Sequence, residues 1–318
     1  MDAQMDVGGR MLLGSLRCGS AAIHPDFRPF RALPTEYAAV KESRANPNSP
    51  ALGASAHPLA GQQMSGADII VQVLADEGVD TIFGYSGGAI LPTYDAIFVY
   101  NQEHAGRQGA ARQHMPLIVP ANEQGAGFMA AGYARASGKV GVCVVTSGPG
   151  ATNTVTPVRD CMADSVPIVV ICGQVPTAAI GSDAFQEAPV ASIMGSVAKH
   201  VFLVTDASKL EATVRTAFEI ARTSRPGPVV IDIPKDVQNW RGTFQGAGRV
   251  PVSGFRHRMN RLTRSTLSDD QGAEFFRMLG EAKRPLIYAG GGVIHSGGAQ
   301  DRKSTRLHSS HRTGSRMP

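Results

Sequence analysis

The chain has 318 residues, which suggests about two domains, and 42% of them are hydrophobic, enough to fill buried cores. Its net charge of +5 points to a nucleic-acid partner only until it is located: from Asp301 onward Arg302, Lys303, Arg306, Arg312 and Arg316 face one acid, so the body is near neutral. A near-neutral body without a basic stripe argues against phosphate-backbone binding, and no run approaches the ~18 apolar residues of a membrane span.

Residues 1–63 mix Gly, Ala, Pro, Ser and Arg without a sustained period, as in Asn46-Pro47-Asn48-Ser49-Pro50. They are expected to be disordered, either as a targeting extension or as upstream sequence read from a misplaced start ahead of Met64. Regular patterning then begins. Ser65 is placed to cap a helix through Glu77, with Ile69, Ile70, Val73 and Leu74 on its apolar face. Short apolar runs recur at 81–84, 116–119, 140–146, 167–172 and 228–233, separated by helical stretches such as 124–136 and 208–222. In the latter, Leu210, Val214, Ala217, Phe218 and Ala221 follow the stripe of an amphipathic helix. Continuous apolar strands alternating with helices predict an α/β fold with a parallel sheet covered on both faces.

After Asp236 the pattern lapses, and residues 237–267 read as a linker. A new unit is expected over 268–300: a helix through Gly280, a strand at 285–289, then Gly290-Gly291-Gly292. At Asp301 the sequence changes character. Residues 301–311 resemble the translation of a short-read sequencing adapter, so 301–318 are set aside as a non-native tail; the biological alternative is a disordered basic tail.

None of the four cysteines, Cys18, Cys143, Cys161 and Cys172, makes a metal-ligand pair such as C-x-x-C. A reduced, cytoplasmic setting is expected, or an organellar one if residues 1–63 are a targeting segment. Glu123 follows a strand-like run and opens an Ala/Gly-rich helix, where the bland role of a carboxylate is to complement the helix N-terminus. Gly87 and Gly88 follow another strand, which fits either a tight turn or close backbone approach to a ligand. The Gly290–Gly292 turn is weak evidence for nucleotide binding.

Several segments match one family in order: Phe83–Pro92, Glu123–Ala126, Gly132–Arg135, Thr146–Asn153, Gly173–Thr177, Asp183–Glu187, Lys199-His200 and Pro234–Gln238. Over about residues 64–298 the chain resembles the large, catalytic subunit of acetolactate synthase, a thiamine-diphosphate enzyme. The resemblance implies that 64–236 form a pyrimidine-binding domain and that 268–300 begin a central, FAD-associated domain. It implies that Glu123 hydrogen-bonds to the ring nitrogen of the cofactor's aminopyrimidine and exchanges a proton there, activating the thiazolium carbon. It places Gly87, Gly88, Ser165 and Gln186 near thiamine diphosphate, and Arg225 with Gly290, Gly291 and Gly292 near FAD. Ala89, Pro176, Ala184, Phe185, Lys199 and Lys235 match a substrate channel in which a cation holds a 2-keto acid carboxylate; a solvated surface role is the alternative for the two lysines.

Two departures are local: Ala121-Asn122 stands where many relatives have Arg-His, and Ser86 replaces a common Pro. The implied substrates are pyruvate and 2-ketobutyrate in branched-chain amino-acid biosynthesis, and the implied assembly is a homodimer or homotetramer with a small regulatory subunit. The Mg2+ and diphosphate ligands are expected in a further, C-terminal domain, so no metal ligand is assigned in this chain, which is read as an N-terminal fragment inactive alone. The rivals are another thiamine-diphosphate decarboxylase or carboligase, and a non-catalytic interaction module. A dinucleotide-dependent oxidoreductase built on the Gly290 turn is opposed by the lack of a following helix and acidic residue.

Overall fold

A computed structural model describes residues 57–104, 114–246, 268–284, 286 and 290–292. The chain enters through β1 (Gln63–Ser65) and α1 (Gly66–Asp76), followed by β2 (Ile82–Tyr85) and α2 (Leu91–His104). Then come β3 (Leu117–Ile118), α3 (Glu123–Ser137), β4 (Gly141–Val145), α4 (Pro149–Thr152), α5 (Val155–Asp164) and β5 (Ile168–Gln174). The domain is completed by α6 (Val190–Gly195), β6 (His200–Leu203), α7 (Leu210–Arg222), β7 (Val229–Pro234), α8 (Lys235–Asn239) and β8 (Arg241–Thr243). A further helix, α9 (Asp269–Glu281), lies where a helix through Gly280 is expected; it carries a Ser268–Gln271 capping box, and none of its residues is buried.

Six strands form one parallel sheet in the order β3-β2-β4-β5-β7-β6. Alternate residues along each strand feed opposite faces. Val142, Val144, Val169, Ile171, Val229, Ile231 and Ile233 pack with α1, α2 and α7. Cys143, Val145, Ile168, Val170, Cys172 and Val230 pack with α3, α5 and α6. Burial on both faces is why these strands read as unbroken apolar runs. Among the described residues three cysteines, Cys143, Cys161 and Cys172, are free and buried, and burial pushes the Cys161 thiol up to about 12.

Local sequence explains most boundaries. Ser65 Oγ accepts from the Asp68 amide at 3.0 Å while Asp68 Oδ2 accepts from the Ser65 amide at 3.1 Å, which closes a capping box on α1. The Ala/Gly composition of α3 permits close approach. A Cβ on Gly127 would lie 2.5 Å from Pro157 Cγ of α5, and one on Gly141 would lie 2.2 Å from the Ala130 carbonyl oxygen. Two elements escape the sequence pattern. The apolar residues of α2 are spread around the helix, with Leu91, Phe98 and Val99 exposed, and β6 is a half-exposed edge strand opening on Lys199-His200.

Both ends assigned to the domain need correction. Residues 57–63, placed in the disordered extension, pack onto the domain, and 237–246, placed in the linker, do too. β1 pairs antiparallel with β8, and Phe244 exchanges backbone bonds with Gln62 (2.8 Å) and Gly61 (2.9 Å). Phe244 is fully buried, with the His57 ring edge-on at 5.1 Å and the Arg215 guanidinium 5.8 Å above it. Arg215 bonds Asp76 (2.5 Å) and Glu211 (3.1 Å), while Glu211 accepts the Gln245 amide at 2.9 Å. The pattern lapses there because each arm is completed by residues some 180 positions away rather than by its neighbours. Residues 1–56, 247–267 and 293–318, and all of the 285–289 strand except Leu286, lie outside the described residues.

One charged group sits inside the sheet. Asp232 of β7 is 1% exposed, and burial pushes its carboxyl from 3.8 up to about 7. Folding therefore favours its protonated form.

Two stability outcomes follow. Phe244→Ala should lower the unfolding free energy by about 3–5 kcal/mol, the usual cost of a buried aromatic truncation, measured by urea denaturation; a change near zero would return residues beyond 236 to a linker. Asp232 should make stability fall as pH rises from about 4 to about 7 and level off above, with a slope of at most about 1.4 kcal/mol per pH unit. Asp232→Asn should remove that component, and an unchanged slope in denaturation series across this range would exclude Asp232 as its source.

Candidate active site at the carboxyl ends of the strands

From β2 the chain runs through α2 to β3 on one side, then returns through α3 to β4 on the other side of β2. Between β2 and β4 the order reverses, and in parallel sheets the crevice outside the carboxyl ends at such a point is the usual ligand site. Three connections meet there: the 86–90 loop after β2, the start of α3 after β3, and the 146–153 segment after β4.

Glu123 is the first residue of α3 and is 8% exposed. The helix begins there because Asn122 caps it, its side-chain oxygen accepting from the Gly125 amide at 2.7 Å. The departure Ala121-Asn122 is thus a working N-cap. Asn153 Nδ2 donates to Glu123 Oε2 at 2.8 Å, fixing the carboxyl. Among the described residues Oε1 has no hydrogen-bond partner, and it faces Gly150, where an added Cβ would lie 3.6 Å away. One oxygen is anchored and the other is left for a ligand, which suits a carboxyl that must meet a ring nitrogen.

The glycine loop is seated on Thr146. A Cβ on Gly87 would lie 2.5 Å from Thr146 Cγ2, so the sequence requires glycine there for contact within the chain. Gly88 has open space above it: among the described residues nothing lies within 4 Å of an added Cβ. Thr146 Oγ1 accepts the Ala89 amide at 3.3 Å. The Ala89 carbonyl accepts from Gln238 Nε2 at 2.8 Å, and Gln238 also donates to the Ile233 carbonyl at 3.0 Å and accepts the Thr93 hydroxyl at 2.9 Å. Gln238 is fully buried and saturated by these bonds, so it positions the loop.

The loop after β5 carries Pro176, Ala184, Phe185 and Gln186. Glu187 holds it together, its carboxylate accepting the Gly181 amide and, at 3.1 Å, the Ala184 amide; these bonds hold the Glu187 carboxyl below its usual range. Phe185 is 87% exposed at its tip. Gln186 has a left-handed backbone (φ 58°) and lies against Gly148, where a Cβ would meet the Gln186 carbonyl oxygen at 2.5 Å. Lys235 opens α8 after β7 at the same end of the sheet and is half-buried, and Asp236 beside it ties α8 to the β5 loop through the Thr177 amide at 2.9 Å.

Three expected site residues stand at the opposite, amino ends of the strands. Lys199 precedes β6, and its ammonium donates to the Ile220 carbonyl and, at 2.7 Å, to the Thr223 carbonyl, covering the end of α7; burial pulls it down to about 8. Arg225 precedes β7 and donates to Ser165 Oγ (2.8 Å) and to the Met162 and Ala163 carbonyls (2.9 and 2.8 Å) at the end of α5. Ser165 itself is the left-handed C-cap of α5. Within this chain the fold does not bring these three to Glu123; each completes a helix terminus. Gly290, Gly291 and Gly292 are exposed, and Gly291-Gly292 are helical.

Sequence reasoning assigned no role to Asn153, Thr146, Gln174, Asp232 or Gln238. Asn153 and Thr146 bound the Thr146–Asn153 match and Gln238 ends the Pro234–Gln238 match, so the motifs held the signal. Only the fold shows what these side chains touch.

Residues 64–194 match the family model described as thiamine pyrophosphate enzyme, N-terminal TPP binding domain. The chain is similar to an acetolactate synthase large subunit of Corynebacterium glutamicum, 43% identical over 242 residues that cover 76% of this chain and 35% of that protein. Against a mitochondrial acetolactate synthase catalytic subunit of Aspergillus candidus it is 45% identical over 237 residues, 73% of this chain and 32% of that one. Against the chloroplastic acetolactate synthase of Arabidopsis thaliana it is 41% identical over 241 residues, 74% and 33% of the two chains. The chain thus spans about a third of the length of the curated relatives it matches. A parallel sheet whose switch point carries a buried, half-anchored glutamate thus coincides with a thiamine pyrophosphate enzyme N-terminal domain over residues 64–194, in a chain that is homologous over about three quarters of its sequence to part of the acetolactate synthase large subunits.

Proposed function

We propose that the whole protein condenses pyruvate with a second 2-keto acid, pyruvate or 2-ketobutyrate, releasing carbon dioxide and forming an acetohydroxy acid on the way to branched-chain amino acids. The observation that carries this reading is Glu123, buried at the sheet's switch point with Oε2 held by Asn153 and Oε1 open above Gly150. The residues fit thiamine diphosphate on their own chemistry: a carboxyl oxygen awaiting a nitrogen partner, beside the open space above Gly88. When bound, that cofactor supplies the electron sink for the carbanion left by carbon dioxide.

Glu123 Oε1 would meet the aminopyrimidine ring nitrogen, where the carboxyl would give a proton and take it back, and the Asn153 bond to Oε2 fixes the carboxyl's orientation for that exchange. Thr146 and Gln238 hold the Ala89 peptide from both sides, so that the glycine loop keeps its distance from Glu123. Lys235, at the same end of the sheet, offers a cation to the substrate carboxylate. Ala184 and Phe185 extend the loop that walls the approach.

The finer points of the proposal rest on the likeness. FAD and Mg2+ are included on that ground. The same likeness puts the proposed Mg2+ ligands in a further, C-terminal domain. Exposed Leu91 and Phe98 on α2, Ile118 in β3, Val119 just after it, and Phe128 and Met129 on α3 support the β3 edge as the proposed surface for a homodimer, itself the unit of a proposed homotetramer. A small regulatory subunit completes the proposed assembly. Among the described residues no helix is long and apolar enough to cross a membrane, and the proposed compartment is the cytoplasm or, with an N-terminal targeting segment, an organelle.

Replacing Glu123 with Gln in the full protein keeps the shape and removes the proton exchange. Acetolactate formation from pyruvate should fall by roughly 10²–10⁴, with thiamine diphosphate still bound. Turnover equal to the parent would remove Glu123 from the mechanism.

A further inference from the structure

Gln174 ends β5 and is 2% exposed. Its carboxamide touches three separate pieces of chain. Oε1 accepts the Val175 amide at 2.9 Å, while Nε2 donates to the Ala188 carbonyl at 3.1 Å and to Asp232 Oδ2 at 3.0 Å. Val175 and Ala188 stand at the two ends of the 175–189 loop, so one side chain closes the loop at its base and fastens it to β7. Both Nε2 hydrogens are used.

Most of the loop's other hydrogen bonds are internal to it. Asp183 and Gln186 adopt left-handed backbone (φ 57° and 58°), which is unfavourable for residues with a Cβ. Phe185 at the tip is exposed and buries nothing. The Glu187 bonds tie the loop to itself, and the Thr177–Asp236 bonds fasten only its first residues. The loop nevertheless lies against Gly148, two residues before Gly150, which faces Glu123 Oε1.

Asp232 makes this arrangement more than packing. It is the single interruption of the apolar run Val229–Ile233, and among the described residues its buried Oδ1 has no hydrogen-bond partner. A valine or leucine there would continue the core without burying an unpaired polar atom, so stability does not account for the residue. Its chemistry does. Oδ2 accepts from Gln174 Nε2 whether the carboxyl is ionised or carries its proton on Oδ1, so it directs the NH2 side of Gln174 toward β7 and Ala188. That leaves the carbonyl side for Val175. Without it the carboxamide can turn over, and its oxygen would then oppose the Ala188 carbonyl.

We infer that Gln174 and Asp232 are a positioning pair: the Asp232 carboxyl fixes the orientation of the Gln174 amide, which holds both ends of the 175–189 loop over the Glu123 end of the sheet. The consequence for catalysis rests on the proposed function of that site, but the loop's attachment does not, and it is measurable without any ligand.

Hydrogen–deuterium exchange on the whole chain reads it directly. The amides of Gly181, Ser182, Ala184 and Glu187 are hydrogen-bonded and should be protected in the parent. Gln174→Met keeps the volume and removes the bonds; exchange across 176–189 should accelerate about tenfold or more, with β4 and β5 as protected as before. Asp232→Leu should do the same, whereas Asp232→Asn, whose oxygen still accepts from Gln174, should restore parental protection. A loop that exchanges freely in the parent, or one unaffected by Gln174→Met, overturns the inference. So does an Asp232→Asn loop as loose as that of Asp232→Leu. Should Asp232→Leu lose protection throughout the sheet, Gln174→Met and Asp232→Asn decide the matter. Failure of Glu123→Gln to alter turnover would leave this outcome untouched.

Discussion

The reversal of strand order at β2 is the constraint on which the site depends. Parallel strands need crossover connections, and these take one hand. To place β3 on one side of β2 and β4 on the other, α2 and α3 must lie on opposite faces of the sheet, as their two core clusters show. Helices leaving in opposite directions cannot cover the carboxyl ends between β2 and β4. Glu123 occupies that gap because it opens the helix that makes the return crossing, with the positive end of the helix behind its carboxyl.

Narrow clearances then fix the gap's dimensions. α3 can lie close to β4 and α5 only because Gly141 and Gly127 lack a Cβ, and the glycine loop can rest on Thr146 only because Gly87 does. These are backbone-to-backbone or backbone-to-side-chain contacts with no slack, so the distance between the loop and Glu123 follows from the fold and not from flexible side chains. Two buried glutamines complete the frame. Gln238 ties the 86–90 loop to β7, and Gln174 ties the 175–189 loop to β5 and β7. An amide suits both posts, since it donates and accepts without carrying a charge that burial would penalise.

The opposite end of the sheet is organised for stability. Arg225 and Lys199 donate to carbonyls left open at the ends of α5 and α7, the ordinary use of a cation at a helix C-terminus. The Asp76–Arg215–Glu211 network with Phe244 binds both arms of the domain to α1 and α7. The resemblance gave Ser165 to thiamine diphosphate, Lys199 to the substrate channel and Arg225 to FAD, and a motif records order along the chain and not which end of a strand a residue precedes. Within one chain these residues serve different ends.

Periodicity by itself determined the α/β class, five of the six sheet strands, and the helices Gly66–Asp76 and Leu210–Arg222, and motif order singled out Glu123. Those features are local: apolar runs buried on two faces, capping residues, and a stripe at helical spacing leave marks within a dozen residues. Tertiary structure alone decided that β6 joins the sheet edge, that residues 57–63 and 237–246 close on each other, that Asn153 anchors Glu123, and that Asp232 faces Gln174. Each of those contacts joins residues thirty or more positions apart or depends on a partner strand, and no local pattern encodes such a pairing.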